Sequence, residues 1–264
     1  MTLPHWASKL ATQYTSHAAN QFLLYGNVND RFLIEGNHLG TLFEFLTRVI
    51  LPRFDVVLSY DLGNGVRIEK GAEIVQKWPS FRETELPRAP RQATEWLTHF
   101  FRYAANLGRI GQKTFQIGFV MKAAHLVAPA LPGALNYDLS ALALLMRDWA
   151  ADDALTRHAL ATFLIAENLN DLHPLLVNHP RAAPIEVPLP TTDELREAIA
   201  FLAKDHAEVL KEFAPAYDAL AHQLTGTTLT SVENLLRIKS HAKEVLHPKD
   251  LVAMRKELVE KDSA

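Results

Sequence analysis

The stretch FQIGFVMKAAHL, residues 115–126, decides the fold. Its apolar first half is typical of a strand that is buried on both faces, as in parallel sheets covered by helices. Similar short apolar runs occur at residues 21–26 and 161–166, and segments with helical periodicity separate them. Strands that alternate with helices predict a mostly parallel sheet flanked by helices. The stretch at 115–126 continues into Lys122 and Ala123, so the predicted strand ends in a cation and carries no acid there.

Composition limits the classes of protein to consider. The 264 residues are 48% apolar, and 27 basic residues nearly balance 30 acidic ones. This balance argues against a broad nucleic-acid-binding face. The sequence has no cysteine, no apolar run long enough to span a membrane, and no signal-peptide pattern in MTLPHWASKL. We therefore expect a cytoplasmic protein without disulfides.

The texture of the sequence changes after Pro190, where helical patterns follow one another without strands. Capping-box patterns, which mark the first turn of a helix, begin at Thr191 and at Thr230. Pro248 is expected to start a last charged helix. These features predict an α/β domain over 1–190 and a small all-helical domain over 191–264.

Three segments of the α/β part have local patterns of their own. Residues 27–37 are predicted to form a loop, and residues 39–54 return to helical periodicity. Residues 55–71 contain two β-rich runs around Gly63-Asn64-Gly65, which predicts a hairpin.

This order of an α/β part and a helical part resembles the AAA+ ATPase module. FVMKAAHL is similar to the Walker B strand of that family, but after Met121 it has Lys122 and Ala123 in place of the two acids. In ATFLIAENLNDL, Asn168 stands at the position of the sensor-1 residue. In HPRAAPIEV, Arg181 stands where the resemblance implies an arginine finger, which would act on a neighbouring subunit.

The first strand and the phosphate-binding loop of the family correspond to FLLYGNVNDRFL. A working loop needs glycines, a lysine and a Ser or Thr to hold phosphate and magnesium. No G-x-x-x-x-G-K-[ST] occurs, and Asp30 would repel phosphate. ATP hydrolysis is therefore not expected from this chain alone, and no bound cofactor is expected. The alternative is that the chain binds ATP and Mg²⁺. The degenerate loop consists of Gly26, Asn27, Val28, Asn29 and Asp30.

Within the AAA+ superfamily, the chain resembles the P-loop-less N-terminal half of tandem AAA proteins of plastid, cyanobacterial and bacterial type. The resemblance implies a catalytically inactive module for assembly, regulation or partner binding, which would be the N-terminal part of a larger tandem AAA ATPase. ATPase activity would then be expected only from a further domain. The chain's expected partner is an active AAA domain or another copy of itself, and neither a membrane nor a nucleic acid is expected.

Other interpretations remain open. The chain could be an inactive clamp-loader-type AAA+ subunit, an ATP-binding AAA+ region with non-standard motifs, or an enzyme of another α/β class. Lys122 could fill the space of a magnesium ion or simply be a solvated residue at a strand end. Arg181 could be an ordinary surface arginine. The histidine pairs lack the helical spacing that metal ligands need, so no metal site is predicted.

Overall fold

The computed structural model describes residues 3–81, 86–131, 136–157 and 159–254. The chain divides into two compact units. The first, here called the α/β unit, comprises residues 2–28 and 46–187. The second, the hairpin-helix unit, comprises residues 29–45 and 188–264. The sequence grouped residues 29–45 with the α/β part, whereas in the structure they pack with the C-terminal helices.

The α/β unit contains six strands and several helices among its described residues. It also contains a π-helical turn, Leu46–Ile50, and a 3-10 helix, Leu169–Asp171. The strands are β1 (Gln21–Gly26), β4 (Val56–Asp61), β5 (Gly65–Lys70), β6 (Ile117–Met121), β7 (Leu160–Ile165) and β8 (Ala182–Val187). The helices are α1 (His5–Thr15), α3 (Ala72–Val75), α4 (Pro90–Arg109), α5 (Ala124–Val127), α6 (Tyr137–Ala151), α7 (Asp153–Thr156) and α8 (Pro174–Val177).

The six strands form one sheet in the order β5-β4-β6-β7-β1-β8. All neighbours pair in parallel except β4 and β5, which form the hairpin that the Gly63–Gly65 turn predicts. The mostly parallel sheet flanked by helices is thus confirmed.

Burial explains why the central strands are continuous apolar runs. Every residue of β6 and β7 is buried, because helices cover both faces of a parallel sheet. On one face, the rings of Phe101, Phe119 and Trp149 meet edge to face at centroid distances of 5.4–5.9 Å. The Trp149 indole donates a hydrogen bond to Thr98, which satisfies its one polar atom in the core.

The hairpin-helix unit consists of a short hairpin and a helical core. The capping box at Thr191 is confirmed, since its hydroxyl accepts from the Glu194 N–H while the Glu194 carboxylate accepts from the Thr191 N–H. Residues 248–254 are helical, as Pro248 predicts. None of the described helices in either unit is long and apolar enough to cross a membrane. The elements are β2 (Phe32–Ile34), β3 (His38–Gly40), α2 (Leu42–Phe45), α9 (Thr192–Leu202), α10 (Asp218–Leu224) and α11 (Leu229–Ala242).

Two predictions for this unit are wrong. The segment 27–37 is not simply a loop, because it contains β2 and leads into β3, and the following helix starts only at Leu42. The second capping box is misplaced by two residues. Thr228, not Thr230, is the N-cap of α11, and its hydroxyl accepts from the Ser231 N–H at 3.1 Å.

Candidate functional site

The carboxyl ends of β1, β6 and β7 lie at one edge of the sheet. The chain leaves β1 towards the distant strand β4, and it later passes from β7 across β1 to β8, so the direction of the connections reverses at β1. In open α/β sheets such a reversal leaves a crevice at the strand ends, where ligands bind. The α/β-unit positions that the sequence assigned to the Walker A, Walker B and sensor-1 motifs lie at this edge, and Arg181 does not. They are Gly26, Asn27, Val28, Met121, Lys122, Ala123 and Asn168.

The turn after β1 directs its backbone donors at neighbouring strands. The Gly26 N–H donates to the Glu167 carbonyl at 3.0 Å, and the Asn27 N–H donates to the Val187 carbonyl at 2.8 Å. The Val28 N–H donates back to the Gly26 carbonyl at 2.8 Å. A phosphate loop works by pointing successive N–H groups at its ligand. Here three successive N–H groups are engaged within the α/β unit instead.

Gly26 is needed for the tight approach of this turn to β8. Its φ of +93° lies in the left-handed region, which side chains with a Cβ rarely adopt. A Cβ at this position would lie 2.8 Å from the Val187 carbonyl oxygen. The glycine that the sequence interprets as a remnant of a phosphate loop is therefore explained by strand packing.

At the end of β6, the backbone turns sharply after Met121. The Lys122 N–H donates to the Tyr60 carbonyl at 2.9 Å, which continues the pairing with β4. Ala123 follows with a φ of +48°, and its left-handed conformation starts α5. The Lys122 side chain is half-buried.

The charge of Lys122 acts on Asp61, at the end of β4. Burial tends to raise the pKa of Asp61, but the hydrogen bonds from the Asn64 side chain and backbone, with the charge of Lys122, lower it overall. The Asn64 N–H and its side-chain amide donate to Asp61 Oδ1 at 2.8 and 2.9 Å. This corner of the edge thus holds a carboxylate and an ammonium group whose charges compensate one another.

Asn168 follows β7 and caps the 3-10 helix. Its side chain is exposed, and its amide donates to the Asp171 carboxylate at 3.0 Å. The neighbouring carbonyl of Glu167 accepts from the Gly26 N–H. The structure therefore brings the end of β7 beside the turn after β1, while the Asn168 amide is occupied locally.

The other two residues of the predicted phosphate loop, Asn29 and Asp30, belong to the hairpin-helix unit. Asp30 is only 4% exposed. Its carboxylate accepts from the N–H groups of Leu229 and Thr230 at 2.9 and 2.8 Å, and from the Thr230 hydroxyl at 2.8 Å. Asp30 thus binds the first turn of α11, where a negative charge is favourable. This role was missed because its partners lie about two hundred residues away in sequence.

Arg181 lies at the opposite, amino-terminal edge of the sheet, directly before β8. Its guanidinium is half exposed and contacts Asp153 Oδ1 at 3.4 Å and Thr156 Oγ1 at 3.5 Å. A surface ion pair of this length contributes little to stability. The Arg181 side chain is therefore available for a stronger anionic partner.

The described residues contain no group that meets the requirements of a metal centre. Within the described ranges, no group of three or more His, Asp or Glu side chains is arranged to hold a metal ion. What the carboxyl edge offers is a set of hydrogen bonds within the protein, one compensated charge pair and one glycine turn.

Comparison with known proteins places the chain in a family. No curated protein sequence matches it. A family model described as "AAA+ chaperone, N-terminal Rossmann-like domain" matches residues 1–188, which is well over half of the chain. This range contains all six strands of the parallel-type sheet. The chain belongs to the AAA+ chaperone family defined by this N-terminal Rossmann-like domain.

Proposed function

We propose that this chain is an AAA+ module that does not hydrolyse ATP and serves in assembly, regulation or partner binding. The observation that supports it best is the turn after β1. Its three successive N–H groups, from Gly26 to Val28, donate to protein carbonyls at 2.8–3.0 Å. Phosphoryl transfer depends on groups that hold phosphate and metal in place. In this turn the three backbone N–H groups are bonded to protein carbonyls and do not point at a phosphate.

The end of β6 supports the same conclusion. A hydrolysing member needs a carboxylate there for magnesium and water. Lys122 puts a positive charge at this position, and this charge helps to lower the pKa of Asp61. A lysine in place of a metal-binding acid repels a divalent cation.

Hydrolysis is the direct test of inactivity. We expect phosphate release from Mg²⁺-ATP by the purified chain to equal the rate in buffer alone. The matched variant is Lys122→Ala, which leaves the β6 strand intact. Turnover in the unmodified chain that Lys122→Ala abolishes would overturn the proposal, because the lysine would then take part in catalysis.

The expected partner is an active AAA domain or a second copy of this chain. The surface around Arg181 is the proposed contact, because an arginine finger acts on a nucleotide held by another subunit, and guanidinium groups bind phosphate in a bidentate manner. A cytoplasmic location, without membrane or nucleic-acid binding, belongs to the same proposal.

Co-purification with a co-expressed active AAA domain from the same genome, together with light scattering of the chain alone, tests docking. Arg181→Ala should weaken the complex, whereas Arg237→Ala, an exposed arginine in an i,i+4 pair on α11, should not. A chain that is monomeric and retains no AAA partner would contradict this part of the proposal.

A further inference from the structure

A cleft lies under the amino-terminal edge of the sheet, on the side away from the turn after β1. It has a volume of about 520 Å³ and is formed by the end of α1, the α7 region and the starts of β1, β7 and β8. We call it the amino-edge cleft. Its polar lining includes Tyr14, Thr15, Asp153, Thr156, Arg157 and Arg181.

Two arginines and one carboxylate set the charge of this cleft. Arg181 contacts Asp153 only at 3.4 Å, and both side chains are largely exposed. In the described part of the chain, the Arg157 guanidinium makes no hydrogen bond or ion pair. The lining is therefore positively charged overall, with one arginine weakly held and the other available.

A neighbouring cavity adds one more arginine. A second cavity of about 530 Å³ shares Asp153 and Arg157 with the amino-edge cleft and adds Arg109. On the other side, burial lowers the pKa of His179, and the positive charges of Arg147 and Arg181 lower it further. Asp148 opposes this effect without reversing it.

We propose that the amino-edge cleft binds the phosphate group of a small organic phosphate. Arg157 and Arg181 supply two guanidinium forks, which match the geometry of phosphate oxygens better than an ammonium group does. The Thr156 hydroxyl accepts from the Arg181 guanidinium at 3.5 Å and donates to the Asp153 carbonyl at 3.4 Å, so it holds this arginine at the cleft. The cleft has the size of small-ligand sites, and Tyr14 gives it an aromatic wall for the organic part.

Isothermal titration with adenosine monophosphate tests this site, and adenosine is the matched probe without phosphate. We expect the nucleotide to bind about tenfold or more tightly than adenosine, because charge-assisted hydrogen bonds to phosphate supply the difference. Arg157→Gln and Arg181→Gln should each weaken nucleotide binding by about tenfold or more. Asn168→Ala, at the opposite edge of the sheet, should leave it unchanged.

The proposal would be overturned by the absence of a heat of binding up to about 5 mM nucleotide, by equal affinity for adenosine, or by full affinity in Arg157→Gln or in Arg181→Gln. Loss of binding in Asn168→Ala would also overturn it, since the ligand would then occupy the carboxyl edge. Circular dichroism of each variant shows whether it is folded. Adenosine monophosphate has no phosphoanhydride bond and the assay contains no partner protein, so the result is independent of the hydrolysis and docking experiments.

Discussion

Replacing Asp30 by alanine should loosen the first turn of α11. The substitution removes a buried carboxylate that accepts from the Leu229 and Thr230 N–H groups and from the Thr230 hydroxyl, at 2.8–2.9 Å. A hydrogen bond to a charged group contributes about 1.5–3 kcal/mol, and loss of a helix cap typically costs about 1 kcal/mol. Because water and the Thr228 cap recover part of this, we expect a cost of about 3 kcal/mol in the stability of this unit.

Hydrogen exchange is the suitable assay, since all four tryptophans lie in the α/β unit and fluorescence does not report on the hairpin-helix unit. A loss of about 3 kcal/mol corresponds to a roughly 150-fold fall in the protection of α11 amides. Asp30→Asn keeps one acceptor oxygen but turns an amide towards the donors, so we expect an intermediate loss.

Asp218→Ala is the matched control for this experiment. Asp218 also stands in the first turn of a helix of the same unit, but it is exposed, and its described ion pair is with Arg196 on the surface. Removing such a pair should cost at most about 0.5 kcal/mol. Protection in Asp30→Ala that matches Asp218→Ala would refute the reasoning, because the buried carboxylate would then contribute no more than a surface acid.

Three further predictions concern the α/β unit. Asn64→Ala should raise the pKa of Asp61, and a carboxyl-observed NMR titration measures this pKa. The lowered pKa of Asp61 stabilises the fold above about pH 4, and this stabilisation is lost as the pH falls. An unchanged or lower pKa of Asp61 in the variant would contradict the role given to Asn64. Burial, and then the charge of Asp61, raise the pKa of Tyr60 to about 12, so its neutral form stabilises the fold fully below about pH 10 and progressively less towards pH 12. A tyrosinate absorbance step near pH 12 should disappear in Tyr60→Phe, and disappearance of a step near pH 10 instead would count against it. Gly26→Ala should lower the free energy of unfolding in urea by about 3 kcal/mol, because a Cβ would meet the Val187 carbonyl. The control is Gly111→Ala, where φ is also positive but the space is open, and we expect a loss of about 1 kcal/mol. Equal losses in the two variants would exclude the close approach to β8.

The central sheet could be predicted because its strands are buried on both faces, which leaves continuous apolar runs in the sequence. The same physics made the β4–β5 hairpin visible, since its turn contains Gly63 and Gly65 between β-rich segments. The β2–β3 hairpin escaped because each of its strands has only three residues, too few for a recognisable alternation.

The start of α11 shows where local patterns are insufficient. Thr228 and Thr230 both fit the sequence rule for an N-cap, and only the tertiary partner decides between them. Asp30 binds the Thr230 hydroxyl, so Thr230 becomes part of the first turn and Thr228 caps it. Similarly, helical periodicity continues past Leu202, but α9 ends there. The Val209 carbonyl instead accepts from the Leu246 N–H at 2.9 Å, a contact that no local pattern reveals.

The candidate sites also contain features that the sequence reveals and features that depend on residues distant in sequence. The sequence located the carboxyl-edge positions because each follows an apolar run. It could not show that the donors of the β1 turn are engaged within the protein, because two of their acceptors, the carbonyls of Glu167 and Val187, are distant in sequence. Arg157 was not singled out, since a lone surface arginine carries no pattern until the fold brings it beside Arg181.

The division of the chain has a consequence for its synthesis. Residues 29–45 leave the ribosome long before residues 188–254, with which they pack. Until then β2 lacks α9, which it contacts, and Leu39 lacks the C-terminal helical core against which it packs. Exposed apolar segments of this kind favour aggregation during translation. A recombinant fragment that ends at residue 188, where the family match ends, would lack the C-terminal helices, so the β2–β3 hairpin would never find its packing partners.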